Sequence, residues 1–211
     1  MDAGSEKRLV ARVKKGESVA FREFVEQYQS RVYRTVISMI SNREDAKDIT
    51  QEVFLKAFDA MESFRGGCSV NTWLYRIAVN LCIDQMRSQG SKPVMSCIDT
   101  IVEKEGEGDD SFMQSPENPL GNAIWVETIK SVSAALDELT PEHKAIIILR
   151  EVDGLSYDEI AETLGIGMGT VMSRLHYARS QLRKRLEPLS KEREVPNEKT
   201  GNFFKVASRT A

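Results

Sequence analysis

Between Thr170 and Leu186 lie Arg174, Arg179, Arg183, Lys184 and Arg185, with no acidic residue among them. The stretch just before, Ser156 to Leu164, carries Asp158, Glu159 and Glu162 and no basic one. Guanidinium and ammonium groups in such a row neutralise phosphates, and Ser173 and His176 can exchange hydrogen bonds with base edges. The chemistry that suits this pattern is nucleic-acid recognition, with the basic part against the polyanion and the acidic part held off it.

Two further constellations lie in the first half. Asp45, Asp48 and Glu52 are spaced i, i+3, i+7 beside Gln51 and Lys56. Such a helix face is a solvated surface or a set of carboxylates for a metal-dependent nuclease. No histidine or ligand loop accompanies it, which counts against the metal. From Arg65 to Asn80, Trp73 and Tyr75 offer flat faces on which stranded bases stack for about 1–3 kcal/mol each. Arg65, Arg76 and Arg87 can neutralise phosphates, Asn80 carries both a donor and an acceptor, and Gly66-Gly67 makes an adaptable turn. Trp73 reads equally well as a core residue.

The composition excludes several classes. Net charge is −3 at pH 7, which decides nothing about a nucleic acid because the footprint lies in local patches. Cys68, Cys82 and Cys97 form no Cys-x-x-Cys and are joined by only two histidines, so no structural zinc site is expected and the thiols read as reduced. The longest aliphatic run, Ala145 to Leu149, is too short to cross a bilayer. The first residues lack the apolar core of a signal peptide. A cytoplasmic protein without membrane insertion is expected.

The elements that must position these residues are helical. The chain's 211 residues make one large domain or two small ones, and no strand pattern occurs. Phe21, Phe24, Val25, Tyr28, Val32, Val36 and Ile40 form the stripe of a long amphipathic helix that breaks at Ser41-Asn42. A second helix carries Ile49, Val53 and Ala57. After the glycine turn, a third runs from about Thr72 to Arg87 with Leu74, Ile77, Ala78 and Leu81 inward. From Ile98 to Glu117 there are seven acidic residues and one basic, which predicts a flexible linker. Beyond it Trp125, Ile129, Val132 and Leu136 make a stripe. Thr140-Pro141 then starts a helix, with threonine capping and proline at the first position. The expected fold class is all-α: a helical domain over 1–90, a flexible acidic linker over 91–121, a helix-turn-helix domain over 122–187 and a frayed tail over 188–211.

Ser156-Tyr-Asp-Glu159 matches a capping box. The short helix that it opens turns Ile160 and Leu164 inward, and Ala161 lets a neighbour approach closely. Gly165 can end that helix in the left-handed conformation, and Ile166 to Gly169 makes a tight connection. The helix from about Thr170 to Leu186 buries Val171, Leu175, Ala178, Leu182 and Leu186 and turns Met172, Ser173, His176 and Arg179 away. This is the layout of a helix-turn-helix, whose second helix enters the major groove. A plain helical hairpin with a solvated basic face is the alternative. A DNA-binding regulator with a helical sensing domain is another reading.

Gly169-Thr-Val-Met-Ser-Arg-Leu-His-Tyr-Ala-Arg179, together with Leu155-Ser-Tyr-Asp-Glu-Ile-Ala-Glu-Thr-Leu-Gly165, resembles the last region of RNA polymerase sigma factors. The likeness is strongest to the extracytoplasmic-function (ECF) group. Asp48-Ile-Thr-Gln-Glu-Val-Phe-Leu-Lys-Ala-Phe58 resembles that group's polymerase-binding helix. Phe64-Arg-Gly-Gly and Thr72-Trp-Leu-Tyr-Arg-Ile-Ala-Val-Asn80 resemble its promoter-melting segment.

The resemblance implies that Asp45, Asp48, Gln51, Glu52 and Lys56 dock on the polymerase core. It implies that Arg65, Asn71, Trp73, Tyr75, Arg76 and Asn80 bind and open the −10 element. Thr170, Met172, Ser173, Arg174, His176, Tyr177, Arg179 and Arg183 would meet the −35 element. The partners implied are core RNA polymerase, promoter DNA and an anti-sigma factor that masks both domains. No cofactor, metal, catalytic residue or small-molecule substrate is implied. The sequence departs from the group at Met172 and Tyr177, where members often carry a basic residue, so no particular −35 sequence carries over. Arg174, beside the buried stripe, either meets DNA or pairs locally with an acid.

Overall fold

The structure, a computed structural model, describes residues 3–89 and 119–191, with side chains over 4–88 and 127–187. The expected linker and tail fall mostly outside these residues, as do Cys97 and the side chain of Trp125. Among the described residues every regular element is helical. The chain divides into two compact units, with the main boundary along the sequence at Gly90.

The first unit holds α1 (Ala3–Lys14), α2 (Ser18–Met39), α3 (Arg43–Ala60), a 3-10 turn (Met61–Ser63) and α4 (Val70–Gln89). α2 is central and packs against the other three helices. Phe24, Tyr28, Val32 and Val36 of α2 meet Ile49, Val53 and Ala57 of α3 and Leu74, Ala78 and Val79 of α4, all buried. Asn42 caps α3 as its side chain accepts from the Glu44 and Asp45 N–H groups at 2.9 and 3.1 Å. α4 turns inward along Leu74 and Ala78 as its spacing predicts, but Ile77 and Leu81 are only half-buried. Tyr75, Val79 and Cys82 take the remaining buried places, because α4 lies against both α2 and α3 and buries a wider arc than one stripe.

The sequence pattern does not announce α1, whose buried apolar residues Leu9 and Val13 are too few to register as a period. Polar contacts hold it in place. Tyr28 donates its hydroxyl to Glu6 at 2.7 Å. Burial, and then the Glu6 carboxylate, push the Tyr28 phenol above its ordinary range. Lys14 donates to the Phe64 carbonyl, and Arg12 pairs with Glu17 at 3.0 Å and Glu23 at 2.9 Å.

Beyond Gly90 come α5 (Pro119–Asp137), α6 (Pro141–Glu151), α7 (Tyr157–Leu164) and α8 (Met168–Lys191), which belong to the second unit except for Glu162–Gly165 at the end of α7. α6 buries Lys144 to Leu149 without interruption, a run longer than one helical turn, so the middle of the helix is covered on every face. α8 lies across α5 and α6 through Val171, Leu175, Ala178 and Leu182 of its predicted stripe, while Leu186, the fifth residue expected there, is only half-buried. The capping box forms as expected: Ser156 Oγ accepts from the Glu159 N–H at 3.2 Å, and Glu159 accepts from the Ser156 N–H at 2.8 Å. Gly154 and Gly165, with φ of 71° and 65°, turn the chain at either end of α7.

Three further local expectations differ from the structure. Thr140 holds the cap position of α6, but its hydroxyl shares a hydrogen bond with His143 Nδ1 at 2.8 Å and does not reach a backbone N–H. α8 begins at Met168, because the Gly167 carbonyl already accepts from Thr170 and Val171 at 2.9 and 3.1 Å. It also continues past Pro188 to Lys191, where a patternless tail was expected.

Lys144 is 2% exposed, and its ammonium donates to Asp137 Oδ1 at 2.6 Å. Deleting one partner of a buried pair costs about 3–5 kcal/mol, because a charge is left stranded. The Asp137 side chain is 32% exposed, which weakens the pair, so Asp137→Ala should lose about 1–3 kcal/mol in urea unfolding. Adding Lys144→Met should recover most of that loss; an equal loss in single and double variants would show that the stranded ammonium is not its source.

Candidate nucleic-acid interface

The buried stripe of α8 sets what its opposite side offers. Met172, Ser173, His176, Tyr177, Arg179 and Arg183 are exposed, and Thr170 and Arg174 are half-buried at the edges. The acid-free surface of the helix is therefore continuous over its first four turns. Its cations differ in what they touch. Arg179 Nε and Nη2 donate to Glu151 Oε1 at 3.0 and 2.6 Å, and Arg185 pairs with Glu138. Arg183 and Lys184 are exposed and have no ion pair with another described residue. The local pairing considered for Arg174 thus falls on Arg179, because the last turn of α6 delivers Glu151 beside it.

Residues outside the predicted set border this surface. Arg150 donates to the Leu155 carbonyl at 2.7 Å and lies 5.2 Å from the centre of the Tyr157 ring. His143 packs against Tyr177, with ring centres 4.7 Å apart and planes tilted by 37°. Burial, and then the charge of Arg174, lower the His143 imidazole below its ordinary value, with Glu142 opposing. No spacing rule links positions 143 and 177; only the fold of α6 against α8 does.

In the first unit, Trp73, Arg76 and Asn80 follow i, i+3, i+7 along α4. Trp73, Arg76 and Asn71 are half-buried, and Asn80 and Arg65 are exposed. Trp73 packs on Phe64 with ring centres 4.9 Å apart and keeps part of its surface open. Ser69 accepts from the Thr72 N–H at 3.0 Å where α4 begins. Tyr75 departs from the sequence expectation: at 4% exposed it is core, and its ring offers no face to a base in this conformation. It lies two residues from Trp73 on the opposite side of α4, turned into the helices that cover it.

On α3, Asp48, Gln51, Glu52 and Lys56 are exposed and Asp45 is half-buried, with Glu52 and Lys56 3.4 Å apart. Among the described residues no three His, Cys, Asp or Glu side chains gather where they could hold a metal. Leu55 and Phe58 on the same helix, and Val19 on α2, are large apolar side chains left exposed. Phe58 and Phe21 meet edge to face, with ring centres 4.8 Å apart. The charged spacing alone does not reveal this apolar component. The sign was present in α3 itself, where Leu55 and Phe58 fall off the stripe of Ile49, Val53 and Ala57.

These surfaces have counterparts in known proteins. Residues 24–92 match Sigma-70 region 2, and residues 129–182 match Sigma-70, region 4. The ECF RNA polymerase sigma-E factor of Escherichia coli strain K12 is 38% identical over 181 residues, spanning 86% of this chain and 94% of that protein. The chain belongs to the ECF sigma factors of RNA polymerase. Among solved structures, the sigma factor RpoE in complex with the anti-sigma factor NepR from Bartonella quintana is similar, with TM-score 0.56 and 25% identity. That match covers 79% of this chain and 96% of the other. CnrH, in complex with the cytosolic domain of CnrY, matches at TM-score 0.60 and 20% identity over 87% of this chain and 97% of that one, a likeness of fold. In this ECF sigma factor the region 2 match begins at Phe24, beyond α1, and the region 4 match ends at Leu182 on α8.

The His143 contacts generate a prediction. A folded imidazole that binds its proton more weakly than in the unfolded chain contributes stability that is complete above about pH 6.5. That contribution is lost as the pH falls from there through the lower folded value. An NMR titration should find His143 titrating below the ordinary imidazole value, and Arg174→Ala should raise it; no rise would remove the Arg174 charge from the account.

Proposed function

We propose that this sigma factor carries core RNA polymerase to promoter DNA and starts strand opening, with no covalent chemistry, cofactor or small-molecule substrate of its own. The observation that carries the proposal is the charge separation between α7 and α8, with an exposed face on α8 that is free of acids from Met168 to Leu186. Residues 1–90 are the part that grips the polymerase core and the −10 element. Residues 122–187 grip the −35 element. No helix of the described residues is long and apolar enough to cross a membrane, and the proposed site of action is the cytoplasm.

On α3, Asp45, Asp48, Gln51, Glu52 and Lys56 form the polymerase-docking face, and the exposed Leu55 and Phe58 add apolar area to it. On α4, Trp73, Arg76 and Asn80, with Arg65 and Asn71, meet the opened −10 strand; the buried Tyr75 supports them from within. On α8, Thr170, Met172, Ser173, Arg174, His176 and Tyr177 line the base-reading part, and Arg179 and Arg183 meet phosphates. An anti-sigma factor is the proposed regulatory partner, supported by the Bartonella quintana relative, whose structure is a complex with one.

Run-off transcription tests this directly. The folded protein added to core polymerase should stimulate initiation on a subset of a promoter-fragment library, and no stimulation on any fragment would sink the proposal. Roles separate by salt. Arg183→Ala should weaken binding to all sequences and flatten the log–log salt dependence by about 0.9, the value of one phosphate contact. Ser173→Ala and His176→Ala should instead change which −35 bases are preferred, measured by competition between fragments; a uniform loss would contradict their base-reading role.

A further inference from the structure

The ion pair between Glu151 and Arg179 joins two helices that the sequence pattern treats separately. Glu151 is the last residue of α6. Both Arg179 Nε and Nη2 donate to the same oxygen, Oε1, at 3.0 and 2.6 Å. The Glu151 side chain is 16% exposed and the Arg179 side chain 45%, so the acid sits inward and the guanidinium stands at the surface. A guanidinium has five N–H donors; two are committed to Glu151, and others remain for a phosphate. Burial lowers the Arg179 proton affinity, and the Glu151 hydrogen bond and charge, together with a hydrogen bond to Tyr157, more than reverse it. Tyr157, the first residue of α7, also lies under the Arg150 guanidinium. The end of α6, the start of α7 and the exposed face of α8 therefore meet at one charged cluster.

A half-neutralised arginine behaves differently toward DNA from a solvated one. Arg183 and Lys184 can seek any phosphate on flexible stems, whereas Arg179 is held in one place and part of its charge is already answered. We propose that Glu151 is a positioning residue for promoter recognition: it holds Arg179 at a set point on the DNA-facing side of α8 and withholds part of its charge from phosphates of unrelated sequence. The inference rests on the assignment of α8 as the −35-binding helix. On this basis the carboxylate lowers non-specific affinity more than specific affinity, because only a correctly seated duplex places a phosphate at the held guanidinium.

The test uses the full chain assembled with core polymerase and two labelled duplexes. One is recovered from a random library by selection with the wild-type assembly, and the other is a shuffled sequence of the same composition. Glu151→Gln removes the charge and keeps an acceptor. It should tighten binding to the shuffled duplex and steepen its log–log salt slope by up to about 0.9. It should also lower the preference for the selected duplex about tenfold, comparable with one mismatched base pair. In an Arg179→Ala background, Glu151→Gln should change neither slope nor preference. Glu151→Asp, which keeps the charge but shortens the reach, should lower the preference too, and serves if the glutamine variant does not fold.

Unchanged slope and preference in folded Glu151→Gln would overturn the inference. So would the same changes appearing without Arg179, because Glu151 would then act by plain repulsion. A wild-type assembly that selects no duplex would overturn the assignment of α8 and this inference with it. A wild type that discriminates beside an indifferent Glu151→Gln sinks the Glu151 role alone.

Discussion

Each unit depends on the packing against one helix. In the second unit this is α6, whose Ala145 to Leu149 run is buried throughout. Fully burying an isoleucine or leucine side chain contributes about 1.5–3 kcal/mol, and α6 places Ile146, Ile147, Ile148 and Leu149 in sequence. That burial requires a neighbour packed along it, and α8 supplies one through Val171, Leu175, Ala178 and Leu182. α2 has the same place in the first unit, with Phe24, Tyr28, Val32 and Val36 touching helices before and after it in sequence. The functional surfaces are what remains of the surrounding helices once these two have been covered.

This constraint explains why the exposed faces are orderly. α8 must present Val171, Leu175, Ala178 and Leu182 inward, so Met172, Ser173, His176, Arg179 and Arg183 have no choice but to face out. α3 must present Ile49, Val53 and Ala57 inward, which turns Asp48, Glu52 and Leu55 outward together. Recognition surfaces of this kind need no loops to build them, because a rigid helix sets both faces at once. The ion pairs add a finer adjustment. Burial of α6 brings its last residue, Glu151, to Arg179, while Arg183, one turn further along, lies beyond its reach.

Much of the candidate site was legible from spacing. The stripe on α8, the capping box at Ser156, the left-handed Gly165 and the acidic face of α3 are all short-range features, set by residues within a turn or two of one another. What was not legible has a common cause. Tyr75 looks like a stacking platform by residue type, yet α4 packs against two helices and swallows it. Arg179 looks like a free phosphate contact, yet Glu151, 28 positions earlier, lies against it. α1 has too few apolar residues to announce itself and is held by Glu6, Arg12 and Lys14 reaching residues of α2 and the turn before α4.

By itself the sequence determined the helical class, most of the buried stripes, the helix-turn-helix and, through three ordered motifs, the family. These depend on period, capping and backbone freedom, which act within a few residues. Only the tertiary structure decided which exposed cations are paired, which aromatic rings are open, and that His143 packs against Tyr177 of α8. The physical reason is that charge pairing and exposure depend on distances between helices. Those distances arise only when the buried faces close on each other, and no local spacing encodes them.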